Sequence, residues 1–190
     1  MGYGRRLEGS RIALREITQG DIPWLWEQTY GDPNAEWRQY DAPYLPTEHV
    51  TFEQYRDRVL RRLATGEPLS RMLIEREGRP IGTVSYYWEH EPSRWLEAGV
   101  LIFDPAHWNG GYGTEALSLW VDHLFASMPL VRVGITTWSG NPRMIRAAEK
   151  AGLRLEGRLR KVRYWQGEYY DSIRMGVLRE EWAQKGLSSL

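Results

Sequence analysis

The chain has 190 residues, 25 basic and 25 acidic side chains, no cysteine and four scattered histidines. That length suits one domain with a core of its own. The missing cysteines remove disulfides, thiolate nucleophiles and iron–sulfur ligation, and the histidines lack metal-like spacing, so no metal is expected. A formal net charge of zero argues against a general nucleic-acid or anionic-membrane binder, and no apolar run is long enough to span a bilayer.

The N-terminus, Met1-Gly2-Tyr3-Gly4-Arg5-Arg6, carries neither a hydrophobic signal region nor a myristoylation pattern, so the cytoplasm is the expected compartment. Residues 11–17 alternate, with Ile12, Leu14 and Ile17 inward, and predict a first strand. Asp21-Ile22-Pro23 opens a helix, and the Pro-, Asp- and aromatic-rich segment 31–46 reads as a shaped loop. Thr51-Phe52-Glu53-Gln54 forms a capping box for a helix with Phe52, Tyr55, Val59 and Leu63 on one face, stopped by residues 66–68. Strands are predicted over 72–76, 80–88 and 95–103, the first two joined by the hairpin signal Glu-Gly-Arg-Pro at 77–80.

A Gly-rich segment leads into an amphipathic helix with Leu117, Trp120, Val121, Leu124 and Phe125 on one stripe. The β-branched run 131–138 predicts a buried strand, and Asn141-Pro142 caps a helix running to Ala151, with Gly152 as its stop. Two strands, about 153–162 and 169–177, meet at Gln166-Gly167. The order predicts one α/β (α+β) domain over residues 1–190, a mixed sheet covered on both faces.

Asp104-Pro105-Ala106-His107-Trp108-Asn109-Gly110-Gly111-Tyr112-Gly113-Thr114 joins a strand to the N-terminus of that amphipathic helix. Three glycines in four residues let backbone N–H groups converge on phosphate oxygens at the positive end of a helix. The same pattern also serves a plain strand-to-helix turn. The Gly-Lys-Ser/Thr of a P-loop is missing, and the glycine spacing misses the dinucleotide fingerprint. Ten tryptophans and eleven tyrosines against three phenylalanines suit a hydrogen-bonding aromatic cleft, a core, or a dimer face. A homodimer is therefore among the expectations.

Several segments in order, RIALREIT, PIGTVSYYW, LEAGVLIFDPAHWNGGYGTEAL, GNPRMIRAAEKAGLRLEGRLRKV and GEYYDSIRMGVLREEW, resemble the GNAT superfamily of acetyltransferases. Within it they resemble the ribosomal-protein N-acetyltransferase-like (RimJ/RimL) branch. The resemblance spans nearly the whole chain and implies a mostly antiparallel central sheet with helices on both faces. It implies acetyl-CoA as co-substrate and a small-molecule amine or a protein N-terminus as acceptor. It places Trp108, Asn109, Gly110, Gly111, Tyr112, Gly113 and Thr114 on the CoA pyrophosphate, with Trp108 where many members carry Gln or Arg.

The strand ending in Leu101, Ile102 and Phe103 would splay from its neighbour and hydrogen-bond the pantetheine arm, its N–H groups polarising the thioester carbonyl. Asn141 matches the family's pantetheine-contacting Asn and is equally an N-cap. Arg143, Arg146 and Lys150 share a helix face, either meeting the CoA phosphates, Arg146 foremost, or solvated.

Acetyl transfer needs a neutral amine. A lysine-like amine is deprotonated only about once in 10³ at pH 7, a cost of about 4–5 kcal/mol, so a carboxylate that takes the proton helps. Glu97 matches the family's strand Glu and is the expected base, against the alternative of a surface Glu paired with Arg94 or another base. The usual acid donors, a Tyr and a Ser on the helix after the Asn, are replaced by Ala148 and Met144, leaving Ser139, Tyr164, Tyr170 or water. Trp37, Tyr40, Tyr44, Trp88 and Trp138 are expected to line the acceptor pocket. The basic run 154–163 reads as an exposed strand face rather than a nucleic-acid site. Against the enzyme stand a CoA- or acyl-CoA-sensing module without turnover and a generic nucleotide-binding α/β protein.

Overall fold

A computed structural model describes residues 5–66 and 70–187. Eight strands form one sheet: β1 (Arg6–Glu8), β2 (Ala13–Arg15), β3 (Arg71–Arg76), β4 (Arg79–His90), β5 (Trp95–Ile102), β6 (Arg132–Trp138), β7 (Arg154–Trp165) and β8 (Glu168–Leu178). Their spatial order is β1-β2-β3-β4-β5-β6-β8-β7, and all neighbours are antiparallel except β5 and β6. The helices are α1 (Ile22–Trp26), α2 (Phe52–Ala64), α3 (Tyr112–Ser127), α4 (Pro142–Ala151) and α5 (Arg179–Leu187).

Period-two alternation divides the strands between two cores. Met72 and Ile74 of β3 face the cluster that holds Leu117, Trp120 and Leu124 of α3 with Ala148 and Ala151 of α4. Leu73, between them, points the other way onto Ile22, Leu25 and Tyr55 of α1 and α2. The expected capping box of α2 is formed: Thr51 Oγ1 accepts from the Gln54 N–H at 3.3 Å, and Gln54 Oε1 accepts from the Thr51 N–H at 3.0 Å. Asn141 caps α4 by accepting from the Met144 N–H at 3.0 Å, and Gly152 ends it in the left-handed region.

Two boundaries differ from the sequence reading. The first strand is two short ones, β1 folding back on β2 through Gly9, whose N–H donates to the Ile12 carbonyl at 2.9 Å. Arg-Leu-Glu is too short and too polar to show a period. Helix α5, which follows β8 directly, was not predicted; among its described side chains Trp182 is the one buried against the core. The stop expected through Pro68 lies outside the described residues.

The parallel pairing of β5 with β6 runs from Trp95↔Arg132 to Glu97↔Gly134 and no further. Beyond it the two strands diverge into a V, with β5 still paired to β4 and β6 still paired to β8. This opening positions the site.

Candidate active site

A cleft of about 340 Å³ fills the V and runs to the N-terminus of α3. Val100, Leu101 and Ile102 of β5 form one wall, and Asn141, Met144, Ala147 and Lys150 of α4 form the other. Gly111, Tyr112, Gly113 and Thr114 close the far end with the first turn of α3. Gly111 is the N-cap, at φ +81°, a conformation that favours glycine, and it offers no side-chain cap. The first N–H groups of a 16-residue helix are thereby left open to the cleft. Arg143, Arg146 and Lys150 line the same space, so a phosphate entering it meets both helix dipole and cations.

The loop is held from outside by Arg11. Its Nη1 donates to the Gly110 carbonyl at 2.6 Å and its Nη2 to the Gly111 carbonyl at 3.4 Å. Its backbone N–H and Nε donate to Glu115 at 2.8 and 2.9 Å. With these carbonyls tied outward, the N–H groups of the turn are turned toward the cleft. Burial pushes the Glu115 carboxyl up, but the donors from Arg11 and Ser10 outweigh it and hold it below its ordinary value.

Trp108, in the position where a Gln or Arg was the commoner expectation, turns its indole inward and donates to the Ile102 carbonyl at 2.9 Å. Its ring stacks with Arg143, whose guanidinium carbon lies 4.5 Å from Trp108 and 4.6 Å from Tyr40. The Tyr40 carbonyl in turn accepts from Trp138 Nε1 at 2.9 Å and from Asn141 Nδ2 at 3.1 Å. Loop 31–46, the glycine-rich turn and α4 are therefore joined at one point over the cleft.

The sequence-predicted residues divide accordingly. Trp37, Tyr40, Leu101, Ile102, Trp108, Asn109, Gly111, Tyr112, Gly113, Thr114, Asn141 and Arg146 line the cleft. Gly110 contributes its carbonyl to Arg11 instead. Phe103 is buried, its ring set edge-on between Trp24 at 5.5 Å and Trp37 at 5.6 Å. Trp138 is buried beneath Tyr44, with ring centroids 5.6 Å apart, and acts as support rather than as a pocket wall. Trp88 packs beside Tyr86 against the α3 core, on the sheet face opposite Glu97, because its place in β4 has the parity of Val84. None of Ser139, Tyr164 and Tyr170 is among the residues lining the cleft.

Glu97 ends the paired part of β5, at the apex of the V, and is only 1 % exposed. Its Oε1 accepts from Trp95 Nε1 and its Oε2 from Thr136 Oγ1, both at 2.9 Å. The nearest cation is Arg174 at 3.8 Å rather than the adjacent Arg94. Burial pushes its carboxyl above the ordinary Glu value against these four favourable neighbours, Trp95, Thr136, Arg174 and Arg132. Gly134 across β6 makes the room: a Cβ there would lie 2.4 Å from Glu97 Oε1. The carboxylate is thus covered, and Glu97 is not among the residues that line the cleft.

Sequence reasoning missed Arg11, Thr136, Arg174 and Tyr87. A local signal existed for one feature only: glycines interrupt two strands beside Glu97, at Gly99 and Gly134, and a strand-interior glycine marks a close approach. The Arg11 contacts bridge about a hundred residues of chain and leave no local pattern.

Residues 11–154 match the sequence model of the acetyltransferase (GNAT) domain. The chain belongs to the GNAT acetyltransferase family. The uncharacterized, SPbeta prophage-derived N-acetyltransferase YokL of Bacillus subtilis is 32 % identical over 103 residues, 54 % of this chain and 51 % of that protein. This match spans about half of YokL. The uncharacterized N-acetyltransferase YnaD of the same organism is 27 % identical over 175 residues, 90 % of this chain and 96 % of its own length. Among solved structures, spermidine N-acetyltransferase from Vibrio cholerae with CoA and spermine superposes with a TM-score of 0.75 at 20 % identity, covering 92 % of this chain and 99 % of that one. The RimL ribosomal L7/L12 α-N-protein acetyltransferase in complex with coenzyme A gives 0.72 at 18 % identity, over 92 % and 98 %. At such identities these two share the fold. Among the described residues no helix of this GNAT protein is long and apolar enough to cross a membrane, and no group of three or more acidic or histidine side chains could hold a metal.

Proposed function

We propose that the protein transfers an acetyl group from acetyl-CoA to a primary amine by direct attack, with Glu97 as the terminal proton acceptor. The observation that carries this reading is the uncapped N-terminus of α3 opening, with Arg146 and Lys150, into a V whose apex holds a buried carboxylate of raised pKa. The pyrophosphate fits the helix end, the pantetheine arm fits between β5 and α4, and the thioester falls near the apex. Asn109 to Thr114, Leu101, Ile102, Trp108 and Asn141 are the CoA-side residues, and Trp37 and Tyr40 belong to the rim shared with the acceptor. Asn141 already spends its oxygen on the Met144 N–H and one amide proton on Tyr40, which leaves one N–H for pantetheine.

The acceptor is a small-molecule amine or a protein N-terminus, the two kinds of substrate named for the fold neighbours. With Met144 and Ala148 at the usual donor positions, the thiolate departs without a side-chain acid and is protonated by solvent. The sealed state of Glu97 favours one second reading, an acyl-CoA sensor without turnover.

Titration calorimetry with acetyl-CoA, followed by thiol-release assays with spermidine and with a short peptide bearing a free α-amine, separates the two. Binding with thiol release establishes the enzyme and its acceptor class. Binding with no release across the panel supports the sensor, and no binding overturns the reading of the glycine-rich loop.

A further inference from the structure

The reading above leaves a physical gap: a base that is 1 % exposed must receive a proton from an amine it does not touch. The sheet face around Glu97 supplies the missing atoms. Tyr87 of β4 is the direct cross-strand partner of Glu97, so both side chains leave the same face. Unlike Glu97, Tyr87 is 53 % exposed. Thr136, two residues beyond Gly134 on β6, projects from this face too and gives its only proton to Glu97 Oε2 at 2.9 Å. Burial is the largest influence on the Tyr87 phenol and raises its pKa, while the neighbouring Thr136 hydroxyl, next in weight, lowers it.

Resting on the assignment of Glu97 as base, we infer that Tyr87 and Thr136 form a hydroxyl path that carries the acceptor's proton from the surface at the apex of the V to Glu97. Tyr87 meets the amine and Thr136 is the positioning link. The neutral amine attacks the thioester carbonyl, forming the C–N bond. As the nitrogen becomes positive it gives one proton to the Tyr87 oxygen, Tyr87 gives its own to Thr136 Oγ, and Thr136 gives its own to Glu97 Oε2. The C–S bond then breaks with its electron pair on sulfur. The CoA thiolate takes a proton from solvent, and Glu97 returns its proton to solvent before the next turnover. One proton enters the path and one leaves it.

The surrounding charges bear on the pH dependence. Arg174 of β8 stands 3.8 Å from Glu97 and is itself paired with Glu89 of β4 at 2.6 Å. Arg132 of β6 lies near Gly134 and is paired with Glu156 of β7 at 2.6 Å. Both arginines are thus largely neutralised by other carboxylates. They leave Glu97 with no dedicated ion-pair partner, which suits a group that must alternate between charged and neutral.

The test is the single-turnover rate of thiol release at saturating acetyl-CoA, from about pH 6 to about pH 9, in H₂O and D₂O, with whichever of spermidine and the α-amine peptide reacts. Tyr87→Phe and Thr136→Val are each expected to lower the plateau rate about ten-fold or more while leaving the calorimetric affinity for acetyl-CoA unchanged. Thr136→Val removes a donor from the carboxylate, so the acidic limb, where the rate rises as Glu97 ionises, moves to higher pH as well, and Thr136→Ser restores both. The parent's solvent isotope effect falls in Tyr87→Phe. Parent-like plateau rates in both variants, with Glu97→Gln inactive, overturn the path and leave the base assignment standing. A Glu97→Gln variant at the parent rate overturns the base and the path together, as does a parent that releases thiol with neither acceptor. If Thr136→Val does not fold, Tyr87→Phe decides alone.

Discussion

Two buried glutamates on one face of the same sheet, two strands apart, are treated in opposite ways. Glu75 of β3 accepts from Arg6 at 2.7 Å and from Arg15 at 2.6 Å, and Arg15 goes on to Asp21 through two 2.8 Å bonds. Burial would raise the Glu75 carboxyl, but the two guanidinium bonds outweigh it and hold it below its ordinary value. Glu97 of β5 is buried more deeply, is bonded only by a neutral indole and a neutral hydroxyl, and is raised. Burial alone does not mark a site. What separates a strut from a candidate base is whether the compensating donors carry charge.

Removing the charge from each carboxylate sharpens that contrast. Glu97→Gln is isosteric, and its amide still accepts from Trp95 or Thr136. Turnover is expected to fall by about 10²- to 10⁴-fold, the range for a lost general base, with acetyl-CoA affinity near the parent's. Steady-state and calorimetric measurements on one preparation check both halves. Glu75→Gln should do the reverse. It strands Arg15 and Arg6 beside a neutral group, so unfolding should become easier by about 2 kcal/mol, read from denaturant midpoints, discounted because Arg6 is partly solvated. Turnover at a temperature where this variant is folded should match the parent. A Glu75→Gln that loses activity while keeping its stability would erase the distinction.

The same contrast explains how much was legible in the sequence. Patterns with a short period carried the fold: the alternation in β3, the stripe of α3, and the Asn141-Pro142 and Gly152 ends of α4 all have local causes. Glu97 and the glycine-rich turn could be found because their chemistry sits in one segment, LEAGVLIFDPAHWNGGYG. What was illegible depends on parity and on long-range contact. Trp88 looked like a pocket aromatic by composition, yet its register in β4 sends it to the core face. Trp138 looked similar and instead holds up loop 31–46 through the Tyr40 carbonyl. Nor could composition reveal that Glu97 would be sealed, since its cover comes from Thr136 and Arg174, more than thirty residues away in the chain.

A smaller effect is expected from the arginine that organises the loop rather than either carboxylate. Arg11→Ala frees the Gly110 and Gly111 carbonyls and one partner of Glu115. The turn then pays its ordering cost on binding, so the acetyl-CoA dissociation constant should rise about ten-fold, about 1.4 kcal/mol. Arg11→Lys should recover little of this, because a single ammonium cannot span Glu115 and two carbonyls. Unchanged affinity in both variants would show that the turn is set without the clamp.

The smallest effect is the most direct test of the two carboxylates, because it asks for a sign. Glu75 has a folded pKa below its unfolded one. Its contribution to stability is present above the unfolded value, about 4.3, and is lost as pH falls through the folded value. The penalty of Glu75→Gln should therefore shrink as the medium is acidified. Glu97 has a folded pKa above its unfolded one, so its contribution is full below the unfolded value and is lost as pH rises through the folded value. Relative to the parent, Glu97→Gln should grow more stable with rising pH. Plotted as the difference in unfolding free energy between variant and parent, the two lines must slope in opposite directions. Parallel slopes would mean that Glu97 is held ionised like Glu75, by Arg174 closing the 3.8 Å gap in solution. It would then be a second strut, and the acceptor's proton would have to leave by another route.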